Sequence, residues 1–127
     1  MVLNSLIYYG PSVIKRFNGM FAFVFYDKKE NKFLLARDRY GIKPLYYTHS
    51  DKFFSFASEQ KAILQNPNFK KELNLNGLKE YFTFQNFFSN ETLFKNINIF
   101  PAGNYAYLDL KKKKLESFQY WDFDFFS

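Results

Sequence analysis

Between Met20 and Ala57 the sequence sets four strand-length apolar runs only a few residues apart, and that spacing limits the fold more than any other feature. Phe21, Phe23 and Phe25 alternate with Ala22, Val24 and Tyr26, so residues 20–26 predict a strand with two apolar faces. Residues 27–32 are a polar turn, and residues 33–36 are the returning strand. Gly41 and Pro44 punctuate the next connection before Leu45-Tyr46-Tyr47, and residues 49–52 turn the chain into a strand over 53–57. Parallel neighbours need a crossover of about a dozen residues or more. These turns are too short for that, so the predicted arrangement is an antiparallel meander.

Outside this stretch the apolar period becomes helical. Leu3, Leu6 and Ile7, then Val13, Ile14 and Phe17, fit helix. Gly10-Pro11 divides them, with Pro11 placed to start a second short helix and Asn18-Gly19 to stop it. Ser58 is placed to cap a short helix through Leu64, with Glu59 in its first turn and Pro67 beyond its end. A further helix starts near Asn74 or Asn76 and carries Leu75, Leu78, Tyr81 and Phe82 on one face. Residues 105–110 and 115–120 predict a hairpin across the lysine turn 111–114, and the tail 121–127 has no assignable pattern. The fold class is α+β, mainly antiparallel sheet with short helices. A chain of 127 residues has room for one domain and one core.

The chemistry is bounded mainly by exclusions. There is no cysteine, which removes disulfides, thiolate zinc sites and cysteine nucleophiles from these residues. His49 is the single histidine and is expected in a turn, exposed; catalytic zinc takes three protein ligands. An N-terminal Thr, Ser or Cys can use the chain's own amine as base, but Met1 is followed by Val2. Asp27, Glu30 and Asp51 lie in predicted turns. Asp38 stands between Arg37 and Arg39, which are expected to hold it ionised and make it a poor general acid. Arg37, Asp38 and Glu59 therefore read as structural ion-pair or turn-capping groups. No catalytic, substrate-binding or metal-binding residue is predicted. The net charge of +6 comes chiefly from lysines, which predicts no specific nucleic-acid partner. No apolar stretch approaches a membrane span and no basic region precedes an apolar run, so the expectation is a cytoplasmic protein without a membrane partner.

Two non-enzymatic readings stand beside this. Residues Phe21 to Tyr26 match the aromatic end of an RNA-recognition strand signature, although residues 1–19 read as helix where that fold needs an upstream strand. The other is a β-rich binding module without catalysis.

Longer motifs point to a family. The segment Phe17-Asn18-Gly19-Met20-Phe21-Ala22-Phe23 is followed by Ala36-Arg37-Asp38-Arg39-Tyr40-Gly41-Ile42-Lys43-Pro44-Leu45-Tyr46-Tyr47. Further on stand Phe56-Ala57-Ser58-Glu59-Gln60-Lys61-Ala62-Ile63-Leu64, Glu91-Thr92-Leu93-Phe94, Phe100-Pro101-Ala102-Gly103 and Tyr120-Trp121. In order and spacing this series resembles the class II glutamine amidotransferases, and among them the asparagine synthetases, across essentially the whole chain. Ala102 departs from the family's usual second proline.

The resemblance implies a partial αββα N-terminal-nucleophile hydrolase fold over residues 1–127, corresponding to the C-terminal part of a glutaminase domain. The implied family activity is glutamine hydrolysis, with the ammonia passed to a synthetase domain that amidates aspartate using ATP. The family's cysteine nucleophile and substrate-holding segments are expected upstream of where Met1 aligns, and the synthetase domain downstream of Ser127. The chain is thus expected to be inactive alone and to need both as partners, with self-association or aggregation in their absence. ATP and Mg are expected only with the synthetase domain. Arg37, Asp38, Gly41, Pro44 and Glu59 carry the structural motif, and by analogy Met20 and Ile42 lie on the side where ammonia leaves.

Overall fold

A computed structural model describes residues 1–123. In chain order its elements are α1 (Val2–Tyr9), a 3-10 helix (Pro11–Arg16), β1 (Ala22–Asp27), β2 (Lys32–Arg37), β3 (Tyr46–His49), β4 (Phe54–Ala57), α2 (Gln60–Ile63), α3 (Leu75–Phe84), β5 (Asn98–Ile99), β6 (Asn104–Asp109) and β7 (Lys114–Gln119). The described residues fall into two compact units. Met1–Lys43 and the chain from Ala102 onward make the first, and Pro44–Pro101 the second.

The predicted meander is broken in the middle. β1 pairs with β2 and β3 with β4, both antiparallel. However, β2 then pairs with β6 and β3 with β5. The first unit holds a sheet of order β1-β2-β6-β7 and the second one of order β4-β3-β5. The break falls at residues 38–45, where an internal carboxylate captures the backbone amides of the connection instead of leaving them for a ladder.

In the first unit the two hairpins share one turn chemistry. Asp27 accepts N–H bonds from Lys29 and Glu30, and Asn31 takes a positive φ of 55°. Asp109 does the same for Lys111 and Lys112, and Lys113 takes 52°. An aspartate beginning the turn and a left-handed residue four places on close both hairpins. The lysine run is therefore a turn, with Lys114 already the first residue of β7. Phe21, just before β1, and Phe23 and Phe25 within it face the core, packing on the cluster of Leu6, Val13, Ile14, Leu34, Ala36 and Tyr120. That occupies the aromatic row an RNA-recognition strand would present. The residues upstream of β1 are helical, so the partner strand that reading needs is absent among the described residues.

The second unit corrects three expectations. Glu59, not Ser58, precedes α2 and makes no side-chain cap. His49 ends β3, half-buried, with its ring edge-on to Phe54. The apolar row of α3 packs only in part: Leu75, Tyr81 and Phe82 are exposed, Leu78 is half-buried, and the buried residue is Gly77. Asn74 caps this helix through the Asn76 N–H at 3.1 Å. Gly77 lies so close to the Thr92 carbonyl that a Cβ would overlap it. Thr92 itself is buried, donating to the Ile97 carbonyl at 2.8 Å. The contact is set by a missing side chain, which hydrophobic periodicity does not register. Gly77→Ala would gain roughly 1 kcal/mol of helix propensity but overpack a backbone contact at a cost of about 1–3 kcal/mol. A net loss of stability is expected, read as a lower urea midpoint.

Candidate functional site

The densest polar arrangement in the first unit surrounds Asp38, which is 1% exposed. Its Oδ1 accepts from the N–H groups of Tyr40 (3.1 Å) and Ile42 (3.0 Å), and its Oδ2 from those of Phe21 (3.2 Å) and Lys43 (3.0 Å). A carboxylate has about four acceptor positions, and backbone donors fill them. Burial alone would raise the carboxyl's pKa, but the amides of Lys43, Ile42, Phe21 and Tyr40 outweigh it and hold it below its ordinary value. The expectation that the neighbouring arginines keep Asp38 ionised is corrected here, because backbone N–H groups do it. Arg37 donates to the carbonyls of Lys43 (2.8 Å) and Gly41 (2.6 Å). Arg39 donates to the carbonyl of Lys15 at 3.0 Å.

Two glycines make this packing possible. Gly41 has φ +64°, and a Cβ there would lie 2.9 Å from the Arg37 guanidinium carbon. Gly103 also has φ +64°, and its Cβ would lie 2.5 Å from the Trp121 carbonyl oxygen. The Gly103 N–H donates to the Asp38 carbonyl, and its own carbonyl accepts from Tyr120. Three segments far apart in sequence thus meet at one residue's backbone and side chain.

Tyr120 closes the arrangement. It is buried and its hydroxyl donates to the Arg37 carbonyl at 2.8 Å. Burial, and then the nearby Asp38 charge, push its pKa up to about 12. Because the folded value lies above the ordinary value of 10.0, the contribution to stability is complete below pH 10 and is lost as pH rises through about 12. Burial also raises Tyr47 and Tyr107, so ultraviolet titration is expected to show late-ionising tyrosines in both proteins, with the one titrating at about 12 lost in Tyr120→Phe.

The motif residues are not all in one place. Arg37, Asp38 and Gly41 form the arrangement just described. Pro44 and Glu59 belong to the second unit and are exposed, Glu59 pairing with Lys61 at 2.6 Å. Met20 and Ile42 are 63% and 56% exposed. Ile42 donates its backbone N–H to Asp38, as does Phe21 directly after Met20, so one carboxylate fixes the main chain beside both side chains. Tyr120 and Gly103 are not among the predicted site residues, although both stand in the quoted motifs. Only the fold shows that they converge on Arg37 and Asp38. A separate cavity of about 380 Å³ in the same unit has Leu6, Phe25, Leu34 and Tyr107 among its lining and contains none of the motif residues.

A family model described as a glutamine amidotransferase domain matches residues 1–121. The chain belongs to that family. Asparagine synthetase (glutamine-hydrolyzing) 3 of Bacillus subtilis is 37% identical over 124 residues, covering 96% of this chain and 20% of the relative. Asparagine synthetase (glutamine-hydrolyzing) 2 of the same organism is 34% identical over 108 residues, 81% of this chain and 14% of its own length. A relative from Methanocaldococcus jannaschii, whose name also contains asparagine synthetase, is 35% identical over 115 residues, 89% of this chain and 22% of that protein. The chain therefore spans roughly a fifth or less of the length of these relatives. No helix among the described residues is long and apolar enough to cross a membrane.

Proposed function

We propose that this chain is the scaffold portion of a glutaminase unit of the asparagine-synthetase kind, and that it hydrolyses no glutamine by itself. The observation that carries the reading is the state of Asp38. The most buried carboxylate of the family motif has both oxygens occupied by main-chain amides, so it is built to hold a turn and not to exchange a proton with a substrate. The sequence contains no cysteine, and in this reading the nucleophile belongs to another segment. A cysteine-bearing glutaminase segment and a synthetase domain are the partners this reading requires. The ammonia released would be used to amidate aspartate, with ATP and Mg held by the synthetase domain. Among the described residues no group of three His, Cys, Asp or Glu side chains is placed to hold a metal. Met20 and Ile42 lie on the side where ammonia leaves. Their exposed side chains on a main chain pinned by Asp38 suit a surface that another segment completes. The cytoplasm is the compartment that fits this role.

The reading is tested by mixing the chain with the portion of the Bacillus subtilis relative that it does not match, and measuring glutamate release from glutamine. Activity is expected only in the mixture. It is expected to disappear when the added polypeptide's cysteines are changed to alanine.

A further inference from the structure

The sequence contains the dipeptide Asn-Gly twice, at Asn18–Gly19 and at Asn76–Gly77. In this pairing an asparagine side chain is open to attack by its own main chain, because the next residue has no Cβ to obstruct the approach. The fold treats the two copies in opposite ways.

Asn18 and Gly19 lie between the 3-10 helix and β1, in no regular element, and both are exposed. Among the described residues neither the Asn18 side chain nor the Gly19 N–H makes a hydrogen bond. Gly19 takes φ +134°, and a Cβ there would meet nothing within 4 Å. The main chain is fixed on either side, where the Phe17 N–H donates to the Ile14 carbonyl at 3.1 Å and the Phe21 N–H to Asp38 Oδ2 at 3.2 Å. No backbone hydrogen bond restrains residues 18–20 between those points.

Asn76–Gly77 is held throughout. Asn76 is the second residue of α3, and its N–H donates to Asn74 Oδ1 at 3.1 Å. Gly77 is buried against the Thr92 carbonyl, with no room even for a Cβ. Closing a ring between the side chain and the next nitrogen brings Cβ and that nitrogen nearly eclipsed about the Cα–C bond, far from the helical ψ of about −42°. At Asn76 the helix end must therefore open first.

We propose that Asn18–Gly19 is a site of spontaneous deamidation in the folded chain, and that α3 protects the identical dipeptide at Asn76–Gly77. The Gly19 nitrogen loses its proton to solvent and attacks Asn18 Cγ. The new C–N bond closes a succinimide as the Cγ–Nδ2 bond breaks, and Nδ2 leaves as ammonia. Water then opens either ring carbonyl, leaving an aspartyl or an isoaspartyl link at position 18. The sum is one water taken up and one ammonia released, with no oxidant or reductant. Either product adds a negative charge two residues before Met20. The isoaspartyl product also places one extra atom in the main chain between Phe17 and Phe21, both of which are bonded elsewhere. The surface proposed above for a partner segment would thus change as the chain ages, a consequence that, unlike the conversion itself, rests on the glutaminase reading.

The full chain held in mildly alkaline buffer, folded and in urea, tests this by peptide mass and isoaspartyl content after digestion. In the folded chain the peptide carrying Asn18 is expected to convert about tenfold or more faster than the one carrying Asn76, which waits on local opening of α3. In urea the two are expected to convert at like rates, since glycine follows both. Asn18→Gln, whose ring would need one more atom, is expected to keep the wild-type urea midpoint and to release almost no ammonia when folded. An Asn18 that stays intact in the folded chain, or equal conversion of both asparagines there, overturns the proposal. The conversion releases ammonia and no glutamate, so its outcome is distinct from that of the glutaminase reading, which is judged by glutamate.

Discussion

Asp38→Ala is expected to cost the chain about 3–5 kcal/mol, a large share of the roughly 5–15 kcal/mol that holds an ordinary domain together. The substitution removes one methylene-borne carboxylate but strands the amides of Phe21, Tyr40, Ile42 and Lys43 together. Hydrogen bonds to a charged acceptor contribute about 1.5–3 kcal/mol each, and a buried donor left without a partner costs a similar amount. Water reaching the partly buried donors recovers some of this, so the four do not add in full. Asp38→Asn is expected to lose less, because the amide oxygen still accepts while its NH2 opposes the remaining donors. Acid separates the two effects. The wild-type carboxyl titrates below its ordinary value of 3.8, so its contribution is fully present above that pH and is lost as the pH falls through the folded value. Urea midpoints at fixed protein concentration are expected to fall steeply below pH 4 in the wild type, and much less steeply in Asp38→Asn. Equal acid slopes in both would show that the carboxylate does not hold the turn.

Much of this fold can be read from periodicity and turn residues alone. The hairpins of β1–β2, β3–β4 and β6–β7 are local, and their strands alternate between short polar turns. The helix boundaries at Pro11 and Asn74 follow from backbone chemistry that the residue type dictates. The unpredicted features are those decided by distant partners. β2 pairs with β6 and not with β3, because the amides of residues 40–43 are committed to Asp38 or turned away from a ladder. β5 is two residues long, too short for an alternating pattern. α3 packs through Gly77, and Leu75, Tyr81 and Phe82 of its apolar stripe stay in solvent. The candidate site divides in the same way. Arg37, Asp38 and Gly41 attract notice as a charged pair and a glycine in a short connection. Their connection to Gly103 and Tyr120 spans most of the chain and exists only after folding. The sequence also misassigned the cause of Asp38's ionisation, since adjacent arginines are visible in a sequence and converging backbone amides are not.

The proposed role of these 127 residues is to hold a glutaminase together without performing its chemistry. Removing an activated nucleophile from a hydrolase costs on the order of 10⁶-fold in turnover, and under this proposal the chain has none. The most direct measurement is glutamate release from glutamine by the purified chain alone, with Asp38→Ala prepared in parallel. No release above the uncatalysed background is expected from either protein. Turnover that follows the wild-type chain through every purification step, and is absent from Asp38→Ala, would contradict the account by showing that the nucleophile lies within this sequence.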